Sequence, residues 1–256
     1  MDLGLSGKTA LVTGASRGIG RAIALGLAAE GVNVVLNGLN PEGLAAAAKE
    51  VAERGVRAVP LAADVSDPRA VEEMFGKVKD LFGRLDILVN NAGFLKAKPL
   101  LDLSCEEWRK SIDVNLTSVF LCSKSAAPLM KDNGGVIINA ASYAAVIPSI
   151  KHAAYAAAKA GVVSMTRTMA GELAPLGIRV VCYIPGVIET DLTAAVRAEK
   201  GKALVSQIAL QRYGRPEEVA DLVVFLSSRA AGYITGVAYE VSGGKLAVQN
   251  PADGWY

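Results

Sequence analysis

The stretch Lys8-Thr9-Ala10-Leu11-Val12-Thr13-Gly14-Ala15-Ser16-Arg17-Gly18-Ile19-Gly20 decides the fold. Its short apolar run ends in a glycine-rich turn, and residues 21–30 then have the composition of a helix. A strand, a tight turn and a helix in this order form the first half of a βαβ unit. Glycines allow a sharp turn, close approach of a phosphate group and close packing of helix on strand. The spacing is G-x-x-x-G-x-G rather than G-x-G-x-x-G, so the turn alone fits a nucleotide site and an ordinary helix start equally well.

Strand-like and helical segments alternate along the rest of the chain. Further strands are predicted at residues 33–37, 56–62, 85–89, 136–140, 179–184 and 237–241. Helices are predicted at 42–53, from N-cap Asp67 to about 82, from the capping box at Ser104 through 130, at 154–174 before a stop at Gly177, and at 216–226. Residues 187–214 have weaker periodicity and are interpreted as a helical lid or loop. With no linker or repeat, the pattern predicts a single α/β domain over 1–256, with one doubly wound sheet of about seven parallel strands and helices on both faces.

Composition excludes several classes of function. Hydrophobic residues make up 52% of the chain and charged residues 20%, which indicates a large buried core. The net charge of +2 and the absence of a block of like charge disfavour a nucleic-acid or membrane partner. The three cysteines are far apart with no C-x-x-C pair, so neither a disulfide framework nor a metal site is expected. No signal pattern or membrane-spanning apolar run is present, and a cytoplasmic protein is expected.

One pair of residues suggests chemistry. Tyr155 and Lys159 are four residues apart and share one face of a predicted helix. A phenol with a pKa near 10 is a poor acid or base at neutral pH, and a neighbouring ammonium group favours the phenolate. Ser142, at the end of a predicted strand, can bond the same substrate oxygen. Taken alone, however, this common spacing also fits a solvated helix face.

Taken together, these segments resemble the short-chain dehydrogenase/reductase family over nearly the whole chain, and its Rossmann-type fold is expected. The residues that carry the resemblance are the turn Thr13–Gly20, Asp64, Asn90-Asn91-Ala92-Gly93, Asn115, Ser142, Tyr155-x-x-x-Lys159 and Pro185-Gly186 followed by Thr190. The family's glycine spacing is the one found here.

The resemblance implies roles for individual residues. Tyr155 is expected to donate or accept the substrate proton, Lys159 to lower the pKa of Tyr155 and bind the nicotinamide ribose, and Ser142 to polarise the substrate oxygen. Asn115 is expected to anchor a water that relays protons through Lys159. Hydride would pass directly between the nicotinamide and the substrate carbon.

The resemblance also implies a nicotinamide cofactor bound along the crevice at the strand ends. The expected contacts are Gly14, Ser16, Arg17, Gly18, Ile19, Gly20, Asn37, Asp64, Val65, Asn91, Ala92, Gly93, Tyr155, Lys159, Pro185, Gly186, Ile188 and Thr190. Within this set, Asp64 and Val65 resemble adenine contacts, and Ile188 and Thr190 resemble carboxamide contacts. Asn91 either lies along the adenine ribose or serves only to tie the central strands together.

A charge argument favours NADP(H) over NAD(H). NAD-preferring relatives usually place an acidic residue at the end of the second strand, where this chain has Asn37. Arg17 can pair with a 2′-phosphate. Against this, Gly38-Leu39-Asn40 offers no second basic residue.

The substrate is less sharply defined by sequence. The chain looks closest to the 3-oxoacyl-carrier-protein reductases, which commonly hold basic docking residues where this chain has Asn133 and Leu176. An NADPH-dependent reductase of a 3-oxoacyl-type or other ketone is therefore expected, with a small-molecule or acyl-thioester substrate. The alternatives are an NAD-dependent secondary-alcohol dehydrogenase and, more remotely, a non-catalytic nucleotide-binding protein. No role is assigned to Lys151 or His152.

Assembly is the last expectation from sequence. The family resemblance implies a homotetramer. The segment 245–256 extends beyond the final strand and ends in two aromatic residues, and it is hypothesised to pack on a neighbouring subunit or to form a frayed tail.

Overall fold

The computed structural model describes residues 2–255. Its centre is a seven-stranded sheet in the order β3-β2-β1-β4-β5-β6-β7, and every adjacent pair is parallel. The strands are β1 Thr9–Val12, β2 Asn33–Gly38, β3 Ala58–Ala62, β4 Ile87–Asn90, β5 Gly135–Ala140, β6 Ile178–Pro185 and β7 Ala238–Val241. The order reverses between β1 and β4, which opens a crevice at the carboxyl ends of these two strands. The predicted Rossmann-type fold is confirmed.

Eight α-helices connect and cover the strands in the described part of the chain. They are α1 Gly18–Ala29, α2 Pro41–Ala52, α3 Pro68–Phe82, α4 Cys105–Ile112, α5 Ser118–Met130, α6 Ala153–Leu173, α7 Asp191–Val205 and α8 Pro216–Ser227. Apolar residues of α1, α2 and α8 pack on one face of the sheet, and those of α3, α5 and α6 pack on the other. The sheet therefore has a buried core on each side, which explains its continuous β-branched strands.

Local capping signals set several helix ends as predicted. Asp67 accepts from the backbone N–H of Arg69 with Pro68 as the first helical residue, and Ser104 and Glu107 form a reciprocal capping box. Gly177, in the left-handed region at φ +69°, ends the turn that follows α6.

Other boundaries differ from the prediction. Helix α1 begins at Gly18, inside the glycine turn, because Arg21 N–H already donates to Arg17 O. Strand β4 begins at Ile87 rather than at residue 85, since Leu85 N–H donates to Leu129 O instead of joining the sheet.

The long helix predicted from Ser104 through Met130 is interrupted. Residues Asp113–Thr117 form a π-helical segment between α4 and α5. Within this stretch Asn115 Nδ2 donates to Ser111 O at 2.8 Å, and Ser118 Oγ donates to Val114 O at 2.7 Å. These side chains bond to carbonyls one turn earlier, in competition with the regular backbone ladder.

None of the helices within residues 2–255 combines the length and apolar character that a bilayer crossing requires. The same residues include no group of three or more His, Cys, Asp or Glu side chains arranged to hold a metal ion.

Candidate active site

The glycine turn after β1 packs tightly and leaves helix N–H groups available. Gly14 and Gly18 have φ values of +65° and +56°, which favour glycine. A Cβ on Gly14 would lie 3.0 Å from Ala92 Cα, and one on Gly20 would overlap the Gly14 carbonyl oxygen. No side chain caps the N-terminus of α1, so its first N–H groups and positive dipole end can receive an anion. The turn therefore fits the pyrophosphate of a dinucleotide.

The end of β2 differs from the sequence expectation. The Asn37 side chain is 1% exposed, and its amide donates to Leu61 O and Ala63 O at 3.1 and 3.0 Å. It therefore bonds to the β3 edge instead of facing the crevice. A Cβ on Gly38 would lie 3.4 Å from Leu44 Cδ2 and 3.7 Å from Oγ of Ser16 in the glycine turn. Because side chains alternate along a strand, the crevice-facing position is residue 38.

The loop after β3 carries the predicted adenine contacts. Asp64 Oδ1 accepts from the N–H and the hydroxyl of Ser66, which fixes the carboxylate at the crevice edge. Val65 is buried in the core below it. The start of this loop stays beside β2 in space, because Ala63 N–H donates to Gly38 O.

Asn91 is held by bonds that cross the central strands. Its Nδ2 donates to Thr13 O at 2.9 Å, and its Oδ1 accepts from Tyr183 Oη at 2.9 Å. Thr13 Oγ1 also accepts from the N–H groups of Asn91 and Ala92. These bonds correspond to the tying role that the sequence left open, and they hold β1, β4 and β6 together under the crevice.

Asn115 lies at the back of the site and is fully buried. Its Oδ1 accepts from Phe94 N–H at 3.0 Å, and its Nδ2 donates to Phe94 O and Ser111 O at 2.8 Å each. A Cβ on Gly93 would lie 3.3 Å from Asn115 Oδ1 and 3.9 Å from Lys159 Nζ. The fold thus brings the predicted residues Gly93, Asn115 and Lys159 together.

Lys159 is a buried cation beside Tyr155. Its side chain is 3% exposed, and Nζ donates to Ala140 O at 2.7 Å while lying 5.8 Å from the Tyr155 ring centroid. Burial lowers the pKa of the Lys159 ammonium to about 8. The hydrogen-bond acceptor for Lys159 is a carbonyl and not a carboxylate, so the charge of its ammonium group is only partly compensated.

Ser142 and Tyr155 meet at the carboxyl end of β5. Burial raises the pKa of the Tyr155 phenol, and its interaction with the Ser142 hydroxyl opposes part of that change. This direction differs from the expected lowering of the Tyr155 pKa by Lys159, because burial has the largest effect on the phenol. A neutral phenol at pH 7 carries the proton that a carbonyl oxygen needs on reduction.

The segment after β6 forms the other wall. Gly186 packs so closely on Ser242 that a Cβ would lie 2.7 Å from Ser242 Cα. Thr190 lies beside the glycine turn, with its Cγ2 3.2 Å from the Cβ position of Gly18. Ile188 is buried and bridges to Gly214, and Arg17 forms an exposed ion pair with Asp191 at 3.0 Å. Pro185, Ile188 and Thr190 therefore follow one continuous wall of the crevice.

Sequence analysis missed a buried polar chain beneath these residues. Asn90 Nδ2 donates to Asn139 Oδ1 at 2.9 Å, and Asn139 Nδ2 donates to Thr166 Oγ1 at 2.9 Å. It links β4, β5 and α6, which carries Tyr155 and Lys159. Polar residues at strand positions otherwise occupied by apolar ones were the only available signal.

The chain is similar to known proteins along nearly its whole length. A family model described as "Enoyl-(Acyl carrier protein) reductase" matches residues 14–245. The chain is similar to a 3-oxoacyl-[acyl-carrier-protein] reductase of Synechocystis, with 44% identity over 94% of this chain and 98% of the relative. It is also similar to 3-oxoacyl-[acyl-carrier-protein] reductase FabG of Aquifex aeolicus, with 39% identity over 95% of this chain and 99% of the relative.

A solved structure shows the same architecture. The crystal structure of a short-chain type dehydrogenase/reductase from Mycobacterium marinum matches with a TM-score of 0.91 and 39% identity, over 95% of this chain and 97% of that one. The chain therefore belongs to the short-chain dehydrogenase/reductase family, oxidoreductases that interconvert ketones and secondary alcohols with a nicotinamide cofactor.

Proposed function

We propose that this protein is an NADP(H)-dependent reductase of 3-oxoacyl-type or related ketones, with Ser142, Tyr155 and Lys159 as its catalytic residues. The observation that carries the proposal is their placement at the end of β5 and the start of α6. The loop after β4 connects them to the glycine turn before α1, because the Cβ position of Gly93 lies 3.9 Å from Lys159 Nζ and that of Gly14 lies 3.0 Å from Ala92 Cα. The relatives named 3-oxoacyl-[acyl-carrier-protein] reductases support the 3-oxo substrate class.

The proposed chemistry needs one proton and one hydride. A bound reduced nicotinamide supplies the hydride that forms the new C–H bond at the ketone carbon. Tyr155 donates its phenolic proton to the ketone oxygen, and Ser142 donates a hydrogen bond that polarises the same oxygen. The Lys159 ammonium stabilises the resulting phenolate, and Asn115 positions the water that returns a proton through Lys159. For oxidation of an alcohol each step runs in reverse.

The preference for NADP(H) is supported by charge at two positions. Gly38 occupies the crevice-facing end of β2, where a carboxylate would repel a 2′-phosphate. Arg17 is exposed in the glycine turn, and its partner Asp191 is equally exposed, so exchange of that carboxylate for a phosphate costs little. We infer that Gly38 and Arg17, rather than Asn37, determine the cofactor preference.

We propose that the ketone is carried on a small molecule or a thioester such as one of coenzyme A. Asn133 and Leu176, which correspond to the basic docking positions, lie near the starts of β5 and β6 and carry no charge. An acidic carrier protein requires positive charge on its docking surface. Residues 187–214, mostly helix α7 and its following loop, would serve as the lid of the single domain.

We propose further that the protein assembles as a homotetramer through α5 and neighbouring surfaces. Leu101 is 96% exposed, and Phe120 on α5 and Trp108 on α4 are also exposed, so large apolar side chains are available for contact with a second copy. Light scattering on the purified protein tests this assembly, and a monomeric mass refutes it.

The decisive experiment follows nicotinamide absorbance with NADPH and NADH against β-keto esters, acyl thioesters, diketones and sugars. We expect turnover of a 3-oxo compound with NADPH preferred. Tyr155→Phe should lose at least about 10³-fold in kcat while cofactor binding, measured by fluorescence, is retained, because only the transferable proton is removed. A variant that keeps most of its rate would show that another group is the acid.

A further inference from the structure

A cavity of about 650 Å³ is lined by residues adjacent in sequence to the candidate catalytic residues and by the C-terminal segment of the same chain. Tyr143, which follows Ser142, and His152, three residues before Tyr155, belong to its wall. Residues 250–253 also line it, and Trp255 Nε1 holds this segment by donating to Ala209 O at 2.9 Å. A cavity of this size accommodates a small organic substrate.

Two lysines lie in the wall of this cavity without a carboxylate partner. Lys245 Nζ lies 5.4 Å from the Tyr143 ring centroid and donates to the neutral Gln207 Oε1 at 2.8 Å. Lys200, on α7, also lines the cavity. Neither lysine belongs to an ion pair among residues 2–255. The two ammonium groups therefore belong to the wall of one cavity.

The other titratable groups in the cavity wall do not neutralise the positive charges of Lys200 and Lys245. Burial and Lys200 both lower the pKa of His152, so its ring is neutral at pH 7. Burial and Lys200 likewise lower the pKa of Lys245, which an anion would restore. Asp253 is the one carboxylate in the wall among the described residues. The cavity therefore keeps an excess of one positive charge.

We propose that this cavity binds a substrate bearing its own free carboxylate, with Lys245 and Lys200 as the residues that recognise the anion. The proposal rests on the proposed function, because it places a short 3-oxo or 3-hydroxy acid with its reacting carbon toward Ser142 and Tyr155. Apolar side chains of Ile147, Leu204 and Leu246 line the same space and would contact the alkyl part. A carboxylate here forms charge-assisted bonds with both ammonium groups.

This arrangement distinguishes the substrate from a carrier-bound thioester. A thioester is neutral at the position where a free acid is charged, so its acyl group offers the two lysines no carboxylate. The recognised chemical group is therefore the carboxylate itself.

The test compares an acid with its neutral ester. Oxidation of 3-hydroxyhexanoate and of its methyl ester is followed with NADP⁺ for the full chain and for Lys245→Gln, Lys200→Gln and Lys202→Gln. Lys202 is exposed and lies outside this cavity, so its variant removes the same charge as a control. We expect the acid-to-ester ratio of kcat/KM to fall at least about tenfold in Lys245→Gln and less in Lys200→Gln. The Lys202 variant should keep the ratio of the unmodified chain.

Binding without turnover separates the two proposals. Calorimetry with hexanoate and hexanamide should show that hexanoate binds more tightly, and that the difference disappears in Lys245→Gln. Equal binding of the two, or an unchanged ratio in Lys245→Gln, overturns the carboxylate proposal while ester turnover leaves the proposed function standing. Absence of turnover of any alcohol or ketone with hexanoate binding intact overturns the proposed function instead.

Discussion

Replacement of Lys159 by methionine should reveal a cost of the buried cation that depends on pH. The pKa of this lysine falls from 10.5 to about 8 on folding, so the unfolded chain binds more protons between these values. Stability therefore rises with pH as the folded lysine loses its proton, and the penalty is largest below pH 8. Lowering the pKa of Lys159 from 10.5 to about 8 destabilises the fold by about 3 kcal/mol at pH 7. At pH 9.5 this destabilisation is only about 1 kcal/mol.

The assay is urea unfolding at pH 7 and pH 9.5, at fixed protein concentration. Between these pH values the unmodified chain should gain about 2 kcal/mol relative to Lys159→Met. The hydrogen bond lost at Ala140 O shifts the variant's stability at both pH values, so it cancels from this difference. Lys77→Met, which removes an exposed lysine from α3, should follow the unmodified chain.

Parallel stability profiles for the unmodified chain and Lys159→Met would refute this reasoning. They would mean that the folded ammonium is as well solvated as in the unfolded chain. The variant should in any case lose turnover, because the phenolate of Tyr155 loses its stabilising charge. If the predicted pH dependence is observed, Lys159 lowers the stability of the fold while it supports catalysis.

Three further substitutions test the crevice. Gly38→Asp should shift the ratio of kcat/KM with NADH to kcat/KM with NADPH toward NADH by about tenfold or more. Little stability should be lost, since the new Cβ would lie at an ordinary 3.4 Å from Leu44, and an unchanged ratio would show that the adenine ribose lies elsewhere. Asn37→Asp should instead destabilise the fold by about 2–4 kcal/mol in urea, because a carboxylate would face two carbonyl acceptors, and a stable variant would contradict this. Gly20→Ala should yield no folded protein by circular dichroism, since its Cβ overlaps the Gly14 carbonyl oxygen, and a native spectrum would disprove the tight packing.

Sequence predicted the parts of the fold that depend on local patterns. The caps at Asp67, Ser104 and Gly177 were placed correctly because each satisfies backbone groups within a few residues. The Rossmann-type sheet followed from the alternation of elements, which needs no knowledge of side-chain packing.

Features that depend on strand register or distant contacts could not be predicted. Sequence pointed to Asn37 for the crevice, whereas Gly38 faces it, because a shift of one residue turns a side chain to the opposite face. The raised pKa of Tyr155 reflects burial by the whole fold, which the four-residue spacing to Lys159 does not contain.

The C-terminal segment illustrates the same limit. Sequence suggested contact with a neighbouring subunit or a frayed tail, while the structure folds residues 250–253 and Trp255 against their own chain. These contacts join residues far apart in sequence, and no local pattern indicates them. Contact with a second subunit stays a prediction, since Trp255 is 63% exposed.

The π-helical segment between α4 and α5 has a consequence for how this chain tolerates changes in length. A π turn holds one residue more than an α turn, so it is equivalent to a single-residue insertion into a regular helix. Deletion of one residue between 113 and 117 would allow residues 105–130 to wind as a regular α-helix. Because the wide turn absorbs the extra residue, the packing faces of α4 and α5 would keep their relative orientation. The backbone path at Asn115 would change, and with it the bonds of this side chain to Phe94 and Ser111. The length of this stretch therefore constrains the placement of Asn115 more than the packing of the two helices.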